Sequence, residues 1–243
     1  MEEPLYQQFY EIENTHWWFT ARQSIITTYL RHRVDTTQRW KLLDVGCGTG
    51  AILAGASQLF DAYGMDASPR AIEFCRKRGL TKLFVGNLDG YPSGDLFDII
   101  TLFDVIEHID DDLGVLKLAY SRLNSSGHML VTVPAYQWLW SSHDEVNHHK
   151  RRYTRSQLRR LVANAGFQID HCTYFNTLLF PIALLRRLLA QATHAQQADD
   201  FLIPSRPVNA LLRGIFQSER YAVPFATLPF GLSLLCWATK PRL

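Results

Sequence analysis

The chain has 243 residues, 47% hydrophobic and 20% charged, a balance that excludes an intrinsically disordered protein and supplies enough apolar surface for one substantial core. A net charge of +2 gives bulk electrostatics no reason to select nucleic acid as a partner. Cys47, Cys75, Cys172 and Cys236 form no C-x-x-C pair, which argues against a disulfide scaffold or zinc module and for a reduced, intracellular chain.

The N-terminal stretch MEEPLYQQFYEIE is acidic and has no apolar h-region, so a secretory signal is not expected and the protein reads as cytoplasmic. No apolar run approaches the roughly 20 residues of a bilayer span. Residues 1–40 read as a helical N-terminal cap. Within it Trp18, Arg22, Ile25, Ile26 and Tyr29 share one helical stripe, which places Arg22 on an apolar face. A guanidinium there needs an anion, either a ligand carboxylate or an acid such as Glu11 or Asp44.

Short apolar runs then alternate with helical patterns, the signature of a parallel sheet with crossover helices. Strands are predicted at 41–45, 62–66, 82–86, 97–103 and 128–133. The first runs into LLDVGCGTG, where Gly46, Gly48 and Gly50 allow a tight turn and close approach of a ligand to the next helix's amides. Gly46, Gly48 and Ala51 also satisfy a dinucleotide fingerprint. Asp44 separates the two readings, since a carboxylate there repels a pyrophosphate but attracts a cationic amino acid or sulfonium. Asp66 closes the second strand sixteen residues beyond Gly50, where an acid can accept from both ribose hydroxyls of either cofactor.

Ser68 and Pro69 predict a helix start and Gly79 its end. Asn87 and Leu88, after the third strand, offer an amide and an apolar wall to an adenine. The fourth strand leads into FDVIEH. Leu113, Leu116, Tyr120 and Leu123 then recur at helical spacing. A capping-box pattern at Thr154 and Gln157 opens a further helix that Gly166 ends. The run SSHDEVNHHKRRYT, 141–154, is therefore predicted as a loop between the fifth strand and that helix.

Loops that follow parallel strands are where ligands bind. His108, His143 and His148 lie on such loops and are the candidate bases, because an imidazole with a pKa near about 6.5 suits proton abstraction near neutrality. His143, His148 and His149 match no zinc spacing, and no metal is expected. Lys150, Arg151, Arg152, Arg155, Arg159 and Arg160 form a basic run without an intervening acid. Positive charge at a helix start is unfavourable unless an anion is present, so Arg151, Arg152 and Tyr153 are the candidate holders of an anionic acceptor.

LLDVGCGTG, the acid Asp66, VGNLDG and FDIITLFDVIEHI resemble, in order and spacing over roughly 41–135, the successive motifs of class I S-adenosylmethionine (SAM)-dependent methyltransferases of the ubiquinone/menaquinone-biosynthesis-like branch. HWWFTAR, 16–22, is similar to the entry helix of a bacterial branch. The resemblance implies SAM as cofactor, with Asp44, Gly46, Cys47, Gly48 and Gly50 around its methionine part. It places Asp66 and Ala67 at the ribose, Asn87 and Leu88 at the adenine, and Phe103 and Asp104 beside the cofactor. Arg22 is then a candidate for the SAM carboxylate. The branch usually has aspartate where this chain has Asn87, whose amide oxygen can still accept from an adenine amino group.

The implied fold is a Rossmann-like α/β domain, a seven-stranded sheet with helices on both faces, its sixth strand at 167–175 and an antiparallel seventh at 231–240. One domain, 1–243, is expected, with a SAM-binding core at 41–176, an apolar helical insertion at 177–230 before the last strand, and the final strand at 231–243. The insertion carries TLLFPIALLRRLLA and PVNALLRGIFQ, read as a helical lid, with a peripheral contact at the inner membrane surface as the alternative. The implied function is methyl transfer to a small-molecule, saccharide or lipid-linked acceptor. An NAD-dependent oxidoreductase and a non-catalytic SAM-binding partner protein are the rival readings.

Overall fold

The computed structural model describes residues 3–92, 94–193 and 202–242. Two helices, α1 (Glu3–Ile12) and α2 (Trp17–Arg33), precede the alternation β1 (Lys41–Val45), α3 (Ala51–Ala56), β2 (Asp61–Asp66), α4 (Pro69–Lys77), β3 (Leu83–Val85), β4 (Phe97–Phe103), α5 (Asp112–Ser121) and β5 (Leu123–Pro134). There follow α6 (Ser142–Val146), α7 (Arg155–Asn164), β6 (Gln168–Phe175), α8 (Phe180–Thr193), α9 (Arg206–Ser218) and β7 (Ser233–Thr239). The strands form one seven-stranded sheet in the order β3-β2-β1-β4-β5-β7-β6, parallel except for β7, which runs antiparallel to β5 and β6.

The central strands are buried on both faces, and the two-residue period of a strand decides which core each side chain joins. Leu43, Ile100, Val131 and Cys236 pack on the side of α5 and α7. Their neighbours Leu42, Ile99, Leu130 and Leu235 pack on the other side, against Ile25, Ile26, Tyr29 and Leu30 of α2 and Phe216 of α9.

Local signals act as predicted at the helix ends. Ser68 caps α4 by accepting from the Ala71 amide, and the Thr154 capping box opens α7. The fifth strand differs: it begins at Leu123, paired with Phe97, and after an irregularity with Ser126 at φ +63° the pairing resumes with His128 against Ile99. The segment 141–154 is also more than a loop, because α6 lies inside it. Of the predicted insertion, α9 packs against α2, and residues 194–201 lie outside the described residues. Among the described residues no helix is long and apolar enough to cross a membrane.

Gly50 sets the turn from β1 into α3. It sits at φ +85°, and a Cβ there would stand 2.8 Å from the Cys75 sulfur. Gly50→Ala combines a left-handed backbone with that clash, so a loss of about 1–3 kcal/mol is expected in urea unfolding. An unchanged midpoint would show that α4 yields freely.

Candidate active site

The carboxyl ends of β1, β2, β4 and β5 converge on a cavity of about 1300 Å³, with α1 and α2 on one side and residues of α8 and α9 on another. Asp44, the fourth residue of β1, points its carboxylate into this space while only 3% exposed, and accepts a 2.7 Å hydrogen bond from the Thr101 hydroxyl. Burial pushes its pKa up to about 7, against the Thr101 hydrogen bond and the charge of Arg22. Its protonation therefore changes within the near-neutral range, and a cation beside it would favour the charged form.

Asp66 at the end of β2 organises the glycine turn: one oxygen accepts from the Gly48 amide and the other from the Ser68 amide, both at 2.9 Å. Gly46, Cys47, Gly48, Asp66, Ala67, Asn87, Leu88, Phe103 and Asp104 all line the cavity with Asp44. Gly48 faces open space, so a side chain there would occupy ligand volume. Gly50 does not line the cavity; it lies against Cys75 and Leu80, where it shapes the turn that carries the lining residues.

Arg22 lines the cavity too, yet its partner is neither Glu11 nor Asp44. Asp104, held at φ +55°, turns its carboxylate to within 2.7 Å of the Arg22 guanidinium, which also donates to the Thr132 hydroxyl at 2.9 Å. The rings of Trp18 and Phe103 lie 5.1 and 5.8 Å from the guanidinium, and its buried Nε has no hydrogen-bond partner among the described residues. The acid after β4 won because its left-handed backbone aims it at α2, which spacing alone does not reveal.

Tyr6 and Glu13 were not singled out from the sequence, and both line the cavity. Glu13 accepts from the Thr49 hydroxyl at 2.5 Å and pairs with Arg78, fastening α1 and its following turn over the glycine loop. The only sequence signal was an acidic amphipathic segment ahead of HWWF.

The histidines are redistributed. His148 is exposed and outside the cavity lining, in a left-handed turn at φ +54°. His143 lies in α6, and its side chain is outside the described residues. Of this segment's histidines with described side chains, His149 lines the cavity, and it accompanies His108 there with the rings 4.7 Å apart, edge to face. Burial, and then His149, push the His108 pKa down to about 4, so His108 alone is a weak proton acceptor. Beside them lies Glu107, wholly buried. Glu107, His108 and His149 offer ligand atoms all within 4.8 Å of one another, a grouping of two distant segments that the spacing of His143, His148 and His149 did not reveal.

Asp144 accounts for the rest of the segment. The Arg152 guanidinium donates to both its oxygens, at 2.6 and 2.8 Å, the Ser141 amide donates at 2.8 Å, and the His149 ring Nδ1 lies at 2.9 Å. Burial works to raise the Asp144 carboxyl, but the contacts with His149 and Arg152 outweigh it and hold it well below the usual carboxylate range. Arg151 pairs with Asp112 at 3.0 Å, and the Tyr153 hydroxyl donates to the same carboxylate at 2.8 Å. Arg151, Arg152 and Tyr153 are thus joined to internal acids rather than presented together to an anionic acceptor, although Arg152 does border the cavity. The basic run lacked an acid in sequence; folding supplies Asp112 and Asp144.

The sheet order with its antiparallel β7, and the acid-and-glycine turn at the end of β1, define a Rossmann-like methyltransferase domain. A family described as "Methyltransferase domain" matches residues 14–172, and the chain belongs to it. Ubiquinone biosynthesis O-methyltransferase of Cereibacter sphaeroides is 33% identical over 100 residues, 38% of this chain and 40% of that protein. The mitochondrial enzyme of the same name from Schizosaccharomyces pombe is 25% identical over 122 residues, 46% of this chain and 44% of that one. The chain thus spans less than half the length of either relative. A Thermotoga maritima SAM-dependent methyltransferase, described as a possible histamine N-methyltransferase, shares the fold at a TM-score of 0.59, 18% identical, over 97% of this chain and 99% of that one. The cofactor class is SAM.

Proposed function

We propose that the protein transfers the methyl group of SAM to an oxygen of a small or lipid-linked acceptor. The observation that carries the reading is the buried carboxylate of Asp44 facing the cavity beside an open glycine turn, which favours a cationic ligand and disfavours a pyrophosphate. Bound SAM supplies a methyl group already activated by its sulfonium. Asp44 meets the cationic end, Asp66 and Ala67 the ribose, and Asn87 and Leu88 the adenine. The Nε of Arg22, without a hydrogen-bond partner among the described residues, suits the cofactor carboxylate. Phe103 and α1 exclude water, and the acceptor lies toward His108 and His149. With the methyl group activated, these residues chiefly supply alignment and dryness.

Oxygen as the accepting atom is suggested by the names of the curated relatives. An apolar acceptor is supported by Leu202 and Leu212, which line the cavity, and by the exposed Leu178, Ile182, Leu185, Ile203 and Leu211 of the same insertion. Arg186, Arg187, Arg206 and Arg213 punctuate these helices, and neither 177–193 nor 202–218 contains an acid, which suits contact with an anionic membrane surface. The test is calorimetric titration of the purified chain with SAM, S-adenosylhomocysteine and NAD, followed by transfer of labelled methyl to lipid and aqueous extracts. SAM binding with label in the lipid fraction is expected. Uptake of NAD without SAM ends the reading.

A further inference from the structure

Glu107 is the least explained polar side chain at the cavity. It is 0% exposed, and neither carboxylate oxygen has a hydrogen-bond partner among the described residues. A carboxyl group buried without such partners either keeps a proton or meets a cation. Arg22 and Arg152, whose charges act on Glu107, are already engaged, Arg22 with Asp104 and Arg152 with Asp144.

We propose that Glu107, His108 and His149 hold a divalent transition-metal ion in the cavity wall. Their ligand atoms lie within 4.8 Å of one another, and ligands at about 2.0–2.2 Å in a tetrahedral site stand about 3.4 Å apart, so modest side-chain rotation closes the set. Two imidazoles and one carboxylate suit zinc, manganese, iron or cobalt rather than calcium or magnesium.

The surroundings are those of a metal-binding histidine. Asp144 Oδ1 lies 2.9 Å from His149 Nδ1, which fixes the ring orientation, the carboxylate–histidine arrangement common at metal sites. Asp144 is fixed in turn by Arg152 and Ser141. The two ligand-bearing segments are stitched together, the Lys150 amide donating to the Glu107 carbonyl at 2.8 Å. Three protein ligands leave a position for water or an acceptor hydroxyl. That last role rests on the methyl-transfer reading; the binding of metal does not.

The test uses the untagged full chain, stripped with chelator, dialysed and titrated with Co²⁺ by visible absorption and with Zn²⁺ by calorimetry, with SAM affinity measured in parallel. One equivalent of metal and a Co²⁺ band are expected. His149→Asn and Glu107→Gln should each weaken the metal by at least about 10–100-fold, and His148→Asn should leave it unchanged. Should Glu107→Gln fail to fold, His149→Asn carries the comparison, with retained SAM binding as its fold check. Absence of a stoichiometric Co²⁺ or Zn²⁺ complex, or equal metal affinity in His149→Asn, overturns the site. SAM binding without metal sinks this inference alone, whereas metal binding without SAM sinks the methyl-transfer reading alone.

Discussion

Asp44→Asn is expected to weaken SAM binding by about 10–100-fold, the loss typical of a buried charge-assisted contact. The variant keeps the shape of the side chain and the Thr101 hydroxyl at 2.7 Å as a neighbour, and removes only the charge. The pH dependence makes the attribution specific. With a pKa of about 7, Asp44 is progressively protonated as pH falls from 8 to 6, so wild-type affinity should fall over that window and the variant should be flat. Stability runs the other way. An unfolded aspartate titrates near about 3.9, so the raised folded pKa favours the apo fold at low pH and loses that advantage as pH rises through about 7. At pH 8 the Asn variant should therefore be at least as stable as wild type. Weak SAM binding together with an undiminished melting temperature separates charge loss from unfolding; equal affinity in both proteins at pH 8 would remove Asp44 from the site.

The parts of this molecule legible in sequence are those fixed by local chemistry. β1 and its acid-and-glycine turn, the Ser68 and Thr154 caps, and the two apolar helices before β7 depend on residues a few positions apart. The cavity contacts at the ends of β1 and β2 were legible for the same reason. What escaped depends on pairing across the fold. Asp104 reaches Arg22 from 82 positions away because one residue adopts a left-handed backbone, and no periodicity encodes that. His149 was hidden behind His148, its immediate neighbour; which of the two faces the cavity is decided by the positive φ at His148 and the Asp144 anchor. The basic run looked like an anion clamp because its acids, Asp112 and Asp144, lie outside the run itself.

That reassignment gives Arg152 a large and different expected effect. Arg152→Met removes the cation from a carboxylate that is 0% exposed, and breaking one side of a buried pair costs about 3–5 kcal/mol. The loss should appear in urea unfolding. Asp144→Asn should cost a similar amount, because it leaves the buried Arg152 guanidinium without its carboxylate. The Asp144 carboxyl is held low in the folded state, so the stability it confers is present above the unfolded carboxylate value and is lost as pH falls below it. With Arg152 gone the carboxyl is held less low, and the fall in melting temperature between pH 5 and 3 should be shallower than in wild type. An Arg152→Met protein with wild-type stability but impaired use of an anionic acceptor would reverse the assignment and return the residue to substrate binding. A protein destabilised at pH 7, with His149 no longer held by a fixed Asp144, makes Arg152 the member that keeps the cavity wall in register.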